Sequence, residues 1–371
     1  MHFLCVWTLW LPSTLFCFTP LCGFDMDVSV IICTRNRASH LRDTLRSLTD
    51  ARVPTDLDIE LVVIDNGSTD ETASILEAGI PEGLPVRGVV EPTPGLSHAR
   101  NRGVREASGA VVLFTDDDVR VPTDWIGPMA TPILQDEADA VAGGIALADG
   151  LRRDWMTTAH TMMLADTEIL RTSEATRMVG ANMAIAWKVF DVVPGFDPHL
   201  GPGPESTGFH EETLLSFQLQ RAGFRLAKAL EITVEHYPEQ RRLLYSAFAD
   251  TAEKQGRSDA YLHHHWYHTK SSRVRSAAAL GYWLSRLSAY RLVPGQRRND
   301  TDEGMAPQEM DIRRRIAAHR HTLRLIGTPR RYERLGHRLD HELLGEWRCQ
   351  EASSQETMTE KQLTTISNPF T

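Results

Sequence analysis

The stretch AVVLFTDDDV, residues 110–119, decides how the chain can fold. Residues 110–115 are an apolar run that ends in a β-branched threonine, which predicts a strand buried on both faces. Three carboxylates follow at once: Asp116, Asp117 and Asp118. Because alternate residues of an extended segment point to the same side, Asp116 and Asp118 can share a face. The stretch therefore predicts a buried strand whose carboxyl end presents two carboxylates together.

Other segments of the sequence also contain apolar runs of this kind. Further apolar runs of strand length occur at four places: 28–33, 59–64, 86–90 and 141–147. Segments with helical spacing of apolar residues lie between the earlier runs: 38–48, 69–76 and 97–107. Strands that are apolar throughout and alternate with helices predict an α/β fold, with a mostly parallel sheet sandwiched by helices. Such sheets bind ligands at the carboxyl ends of their strands, where the polar residues of this chain are found.

The composition excludes several classes of protein. The chain has 371 residues, of which 42% are hydrophobic and 24% charged, as in an ordinary globular protein. Five cysteines, three of them within the first two dozen residues, do not make a disulfide scaffold, and no Cys/His spacing fits zinc. The formal net charge of −9 argues against a general nucleic-acid binder.

The carboxylate triplet 116–118 has two interpretations. Carboxylates as close as Asp116 and Asp118 repel each other unless a cation joins them. Oxygen ligands suit Mg²⁺ or Mn²⁺ better than Zn²⁺, and such an ion keeps open positions for phosphate oxygens. The alternative is an acidic turn that caps the next element, a role that suits Asp117 best. The triplet predicts a divalent-metal or diphosphate site.

Four segments in order resemble the signature of family 2 glycosyltransferases. They are VSVIICTRNR (28–37), VVIDNGSTD (62–70), GLSHARNRG (95–103) and TDDDV (115–119). The resemblance covers roughly residues 27–260. It implies a GT-A fold, with a Rossmann-like nucleotide half and an acceptor half. It also implies a UDP-, GDP- or dTDP-sugar donor, Mn²⁺ or Mg²⁺ as cofactor, and inversion at the anomeric carbon.

Carried over by position, the resemblance assigns a donor site and a metal site. Nine residues would bind or order the donor: Thr34, Arg35, Arg37, Asp65, Gly95, Arg100, Asn101, Asp116 and Asp117. Asp65 would bond the base or ribose, although a carboxylate there can also close an Asx-turn or cap a helix. Gly95 would permit close backbone approach, and Arg100 could meet phosphate. Asp118 would be the principal metal ligand, with Asp116 and His236 near the ion.

The general base is expected in HEET, residues 210–213. The family usually has Gly-Glu-Asp here, and its last carboxylate takes the acceptor's proton. This chain has His210 for glycine and Glu212 for aspartate, so Glu212 is the expected base and Glu211 the alternative. Two glutamates in the first turn of a helix are also what ordinary capping would supply.

The resemblance also favours a single-addition enzyme. The processive branch carries Gln-x-x-Arg-Trp and several membrane spans, whereas Gln218 and Arg221 are followed here by Ala-Gly. No later run is long enough to span a bilayer. By family analogy the acceptor is a saccharide or glycolipid of polysaccharide or cell-envelope assembly. Two alternatives stay open: a sugar-phosphate nucleotidyltransferase and a non-catalytic nucleotide-sugar-binding module.

The two ends differ from the predicted catalytic domain, residues 26–262. Residues 1–25 are an apolar leader with no Lys or Arg before Arg35. Either Met26 is the natural start, or the leader associates with a membrane. Residues 349–371 are polar, and their composition predicts disorder.

Residues 263–348 predict a basic helical extension. From Lys270 to Arg348 there are 17 Lys and Arg residues against 9 Asp and Glu. The helical pattern at 273–292 sets apolar residues on one side and arginines on others. This extension either lies in a membrane interface or packs back on the catalytic domain. The expected location is the cytoplasm, with possible peripheral contact at the inner face of the membrane.

Overall fold

The computed structural model describes four stretches of the chain: 24–79, 85–173, 176–293 and 302–332. Residues 1–23 of the predicted leader, residues 333–348 of the predicted helical extension and the predicted tail 349–371 lie outside the described residues.

Within the described residues, eight strands form a single sheet. They are β1 Met26–Thr34, β2 Ile59–Asp65, β3 Val86–Val90, β4 Gly109–Asp116, β5 Val119–Arg120, β6 Ala140–Leu147, β7 Asn182–Ala186 and β8 Leu226–His236. Their order across the sheet is β3-β2-β1-β4-β7-β6-β8-β5. The first four are mutually parallel, whereas β7 runs antiparallel to β4 and β6. The predicted α/β class is confirmed, and this sheet with its flanking helices fits the GT-A fold.

Nine α-helices accompany the sheet in the described stretches. They are α1 Ala38–Thr49, α2 Thr72–Ala78, α3 Leu96–Glu106, α4 Ile126–Leu134, α5 Thr158–Met163, α6 Glu211–Arg221, α7 Tyr245–Tyr261, α8 Arg273–Leu292 and α9 Pro307–Leu325.

The central strand β1 shows why helices cover both faces of the sheet. Since successive side chains of a strand alternate between faces, Val30 and Ile32 pack with Leu41 of α1 on one side. Ile31 packs with Val104 of α3 on the other. All of these side chains are buried, and each contributes roughly 1.5–3 kcal/mol by leaving water. The two layers hold the polar strand ends at one rim.

The two described helices of the C-terminal extension pack in different ways. Helix α9 packs along α7 of the catalytic part, where Arg314 Nε lies 2.6 Å from an Asp259 carboxylate oxygen. Helix α8 packs on α9, and only Ser276 of α8 is buried. In the parts of the chain that the structure describes, no helix combines the length and apolarity that crossing a bilayer requires.

Candidate active site

The carboxylate triplet is anchored by residues at the end of the neighbouring strand. Because β1 and β4 are parallel and adjacent, Thr34 reaches Asp117 and donates a 2.7 Å hydrogen bond from Oγ1. Arg37 Nη1 lies 2.8 Å from Asp117 Oδ1 and 2.8 Å from Asp118 Oδ2. Arg37 therefore joins two of the three carboxylates.

Thr34 and Asp117 are buried side chains that bond to each other. The main-chain carbonyl of Asp117 also accepts a hydrogen bond from the buried Thr44 hydroxyl. In the structure both residues support the triplet, and direct contact of either one with a donor stays a prediction. Arg37 stays half-buried, at the edge of the cleft.

Asp118 and His236 face each other in a buried contact. His236 ends β8, and its Nδ1 lies 2.7 Å from the Leu164 carbonyl, which makes Nδ1 the protonated nitrogen. Its Nε2 lies 3.4 Å from Asp118 Oδ1. Burial opposes the charge of Asp118, yet hydrogen bonding and charge from His236, together with Arg37, hold its pKa well below the usual range.

This contact supplies a test of whether a divalent cation fits. A protonated imidazole gives Asp118 the hydrogen bond and charge described above; in the neutral form that donates through Nδ1, a lone pair at Nε2 faces the carboxylate, and a cation between the two groups takes the place of that proton. Asp118 Oδ1 is buried without a hydrogen-bond partner in the described residues. No cluster of three or more ligating side chains occurs among them either. The pair fits an ion that takes most of its ligands from phosphate and water.

A second cluster lies beneath the cleft around Arg100, which is almost completely buried. One of its nitrogens, Nη1, lies 3.0 Å from Glu211 Oε1 and 3.5 Å from Glu212 Oε1. The other, Nη2, lies 3.3 Å from Asp116 Oδ1. We call these four residues the Arg100 cluster. Arg100 was expected to order the donor, with phosphate as one candidate partner; in the structure it contacts the carboxyl groups of all three acidic residues.

Gly180 makes room for the Arg100 cluster. A Cβ atom at this position would lie 1.8 Å from Arg100 Nη2, so any other residue would displace the guanidinium. The Gly180 amide also donates a 3.1 Å hydrogen bond to Glu212 Oε1. The small-residue segment around Gly180 thus fixes both the arginine and one of the glutamates.

The two glutamates of the cluster have different environments. Glu211 is buried, and burial together with the Glu212 charge raises its pKa to about 8, against the opposing effect of Arg100. Glu211 therefore keeps its proton at neutral pH. The Glu212 side chain is 18% exposed, so part of it remains open to solvent.

His210 explains how the chain departs from the Gly-Glu-Asp pattern. Its φ is +78°, in the left-handed region that glycine enters freely and other residues at a cost. The ring Nε2 lies 3.0 Å from Asp259 Oδ1, and Asp259 in turn pairs with Arg314 of α9. Tertiary contacts hold His210 in a conformation that its own backbone disfavours.

The model of glycosyl transferase family 2 matches residues 29–196, which contain β1 to β7 and the whole triplet. These residues are a family 2 glycosyltransferase domain.

Proteins similar to the domain include two curated glycosyltransferases. GlyA of Streptococcus pneumoniae is 30% identical over 119 residues, which are 32% of this chain and 17% of GlyA. AglE of Haloferax volcanii is 30% identical over 120 residues, which are 32% of this chain and 39% of AglE. The chain thus matches less than two fifths of the length of either relative.

Among solved structures, the mannosyltransferase PcManGT from Pyrobaculum calidifontis, in complex with GDP-Man and Mn²⁺, is similar to this chain. It is 18% identical with a TM-score of 0.46, over 81% of this chain and 70% of that one.

Other predicted donor residues of the family 2 domain surround a turn network. Asp65 ends β2, and its Oδ1 accepts the amide of Ser68, three residues on, at 2.8 Å. The next residue, Asn66, accepts the Gly95 amide at 2.7 Å. Gly95 has φ +139° and lies near the Gly203 backbone, and its approach to a donor stays a prediction. Arg35 is exposed.

Asn101 is buried and holds the turn Gly195-Phe196-Asp197. Its side chain donates to the Phe196 carbonyl and accepts from the Phe196 amide, both at 2.8 Å. The next residue, Asp197, has no exposed surface. It accepts hydrogen bonds from Trp266 Nε1 at 2.9 Å, Tyr261 at 3.0 Å and Tyr332 at 3.1 Å. We call these last four residues the Asp197 cluster.

Two further residues near the triplet were not found from the sequence. Glu239 Oε1 lies 3.6 Å from Arg37 Nε. Arg242 is half-buried; burial lowers its pKa, while the charges of Asp118 and Asp116 oppose that effect. The run QRR at 240–242, directly after His236 and its turn, was the available signal. Arg37 and Glu239 also line an open cavity of about 760 Å³ at the ends of β1 and β2.

Proposed function

We propose that this protein transfers a sugar from a nucleotide-diphospho-sugar to a hydroxyl of a saccharide or glycolipid acceptor, one residue at a time and with inversion. The observation that carries the proposal is the Arg100 cluster. It ties Asp116, at the rim where phosphate-binding carboxylates are expected, to Glu212, a carboxylate held open to the same cleft.

Glu212 is the general base of this proposal. Its carboxylate is oriented by the Gly180 amide and by Arg100, and part of it remains exposed. Glu211 is unsuited to the role because it is buried and holds its own proton at neutral pH. This choice also fits the position at which the family places its base.

Transfer then needs one proton movement by the protein. As the acceptor oxygen bonds to the anomeric carbon, the bond from that carbon to the diphosphate oxygen breaks, and Glu212 takes the hydroxyl proton. Inversion requires the base and the leaving group on opposite faces of the sugar. Arg100 supports this arrangement, because Nη2 contacts Asp116 while Nη1 contacts Glu212.

The departing diphosphate needs positive charge. Asp118 and His236, with Asp116 nearby, would hold Mn²⁺ or Mg²⁺; a bound cation of this kind neutralises charge that develops on the leaving group. Arg242 adds a cation from the protein itself, next to the Asp118 carboxylate. Arg37 lowers the charge repulsion between Asp117 and Asp118, because it pairs with both.

The test is Glu212→Gln in a panel of UDP-, GDP- and dTDP-sugars with Mn²⁺ and saccharide or glycolipid acceptors. We expect nucleoside diphosphate release by the wild type and a loss of at least about a hundredfold in turnover by the variant, with donor affinity retained. Glu205→Gln, on the exposed part of the preceding loop, is the matched control.

Each other outcome has a meaning. Full activity of Glu212→Gln removes the base assignment. With pyrophosphate added, conversion of the nucleotide-sugar to a nucleoside triphosphate and a sugar 1-phosphate indicates a nucleotidyltransferase, and donor binding without turnover indicates a binding module. For the metal, Asp118→Ala should abolish Mn²⁺-dependent donor binding in calorimetry; unchanged binding removes Asp118 from the proposed site.

A further inference from the structure

Helix α8 has one face against the protein and one face outward. The inner face contains the buried Ser276 and half-buried residues at helical spacing: Ala279, Leu280, Trp283, Leu287 and Tyr290. Trp283 stacks under the Arg315 guanidinium of α9, at 4.8 Å from the ring centre. This contact fixes the rotation of α8 about its own axis.

The outward face carries no charge. It consists of residues that fall on one side of a helix with 3.6 residues per turn: Val274, Ala278, Gly281, Ser285, Ser288 and Leu292. All of them are exposed, and Val274 and Leu292 reach 79% and 80%. Tyr282, 53% exposed, borders the same face. Apolar side chains this open are unusual for a helix that meets only water.

Arginines border the outward face on both sides. At 100° per residue, Arg275 and Arg286 fall on one edge, and Arg273 and Arg291 fall on the other. These four are the charged residues of α8, which contains no Asp or Glu. Arg291 also lies 3.7 Å from Glu309, and Arg273 donates to the Ile326 carbonyl.

We propose that the outward face of α8 docks on the surface of an anionic lipid bilayer. An uncharged strip between two rows of arginines matches a bilayer interface, where apolar groups enter between headgroups and long basic side chains extend to the phosphates. The helix then lies parallel to the bilayer. A charge set of one sign, placed on both edges, complements a continuous anionic surface better than a protein patch of mixed charge.

The test uses the full chain and sedimentation with vesicles of phosphatidylcholine, with or without phosphatidylglycerol. We expect binding that requires phosphatidylglycerol and weakens with salt. The double variant Arg275→Gln/Arg286→Gln should bind roughly 25-fold more weakly, at about fivefold for each arginine. Val274→Glu/Leu292→Glu should abolish the phosphatidylglycerol-dependent part.

The matched control is Arg46→Gln/Arg52→Gln, which removes two exposed arginines remote from α8 in sequence and lowers the net charge equally. It should bind as the wild type does, and thermal unfolding should show that all variants are folded. Equal losses in both arginine pairs, or no phosphatidylglycerol-dependent binding, overturn the proposal. So does a wild-type dimer, seen by sedimentation velocity without lipid, that Val274→Glu/Leu292→Glu dissociates. Sugar transfer is measured separately, so its failure is distinguishable.

Discussion

The two sides of the cleft are held together in different ways. On the triplet side, Thr34 and Asp117 meet because β1 and β4 are adjacent strands, and their register alone brings them into contact. On the side of the proposed base, Glu212 depends on Arg100 and Gly180, and the preceding His210 depends on Asp259. A strand end is positioned by its sheet, whereas a helix start in a loop is positioned by side chains that come from distant parts of the chain.

This difference indicates which part of the site tolerates changes of amino acid. Residues on the triplet side are constrained by backbone hydrogen bonding, which tolerates few alternatives. The base side contains His210 and Glu212 where the family pattern has glycine and aspartate, and side-chain contacts absorb both changes. The following predictions test that contrast.

The largest effect is expected at Arg100, which joins the two sides. Arg100→Met leaves the carboxyl groups of Asp116, Glu211 and Glu212 around the buried Arg100 position without their cation, so we expect a loss of about 3–5 kcal/mol in the free energy of unfolding. Urea denaturation measures it. Arg102→Met, on the same helix and in a half-buried pair with a single glutamate, Glu106, should cost less, at about 1 kcal/mol. Equal costs would mean that the cluster does not join the two sides.

The next prediction concerns Glu211 and pH. Its folded-state pKa of about 8 lies above the ordinary value of 4.5, so its contribution to stability is complete below about pH 4.5 and is lost as the pH rises toward 8. Glu211→Gln mimics the protonated form. Across that window the variant should gain stability over the wild type by roughly 1 kcal/mol per pH unit. Thermal melts of both proteins that stay parallel from pH 5 to about pH 8 would contradict the burial argument.

A smaller effect is expected on the triplet side. Thr34→Val keeps the β-branched shape of the side chain but removes the hydrogen bond to Asp117, whose buried oxygen then lacks a donor. We expect a loss of about 1–3 kcal/mol in unfolding free energy. Thr49→Val, at an exposed position of α1, should stay within about 0.5 kcal/mol.

The smallest effect separates strain from contact at His210. Glycine relieves the left-handed backbone but loses the Asp259 contact, and these changes of about 1 kcal/mol each should nearly cancel. Alanine loses the contact and keeps the strain, so His210→Ala should be less stable than His210→Gly by about 1 kcal/mol. If alanine is the better substitute in chemical denaturation, backbone strain is not the reason for the departure from glycine.

The predictable parts of the molecule were those set by local pattern. The five strands predicted from apolar runs, β1 to β4 and β6, were found to within about two residues, and α8 was found at its observed bounds. Strands β5, β7 and β8 were not predicted. Helix α2 begins at Thr72 rather than at 69, since Asp70 accepts hydrogen bonds from the Thr72 amide and hydroxyl and from the Ala38 amide. A cap shared between two helices is invisible to a pattern within one of them.

The candidate site was predictable in membership more than in contacts. The triplet and both glutamates were named from the sequence, and the Arg100 cluster brings Asp116, Glu211 and Glu212 together, but the contacts of Arg100 were not foreseen. Its partner Glu211 is 111 positions away, and the empty space that admits it comes from Gly180. Likewise, Asn101 lies in a motif of the family, but the sequence does not show that its side chain bonds to the Phe196 main chain. Long-range pairing of this kind leaves no spacing to read in one sequence.

The Asp197 cluster bears on how the protein can be shortened. The family match ends at residue 196, immediately before a carboxylate that Tyr261, Trp266 and Tyr332 enclose. A fragment cut at that boundary would discard every one of these donors together with Glu212. We therefore expect that an expressed fragment needs the chain as far as Tyr332, and that a fragment ending at residue 196, which also lacks β8, is insoluble.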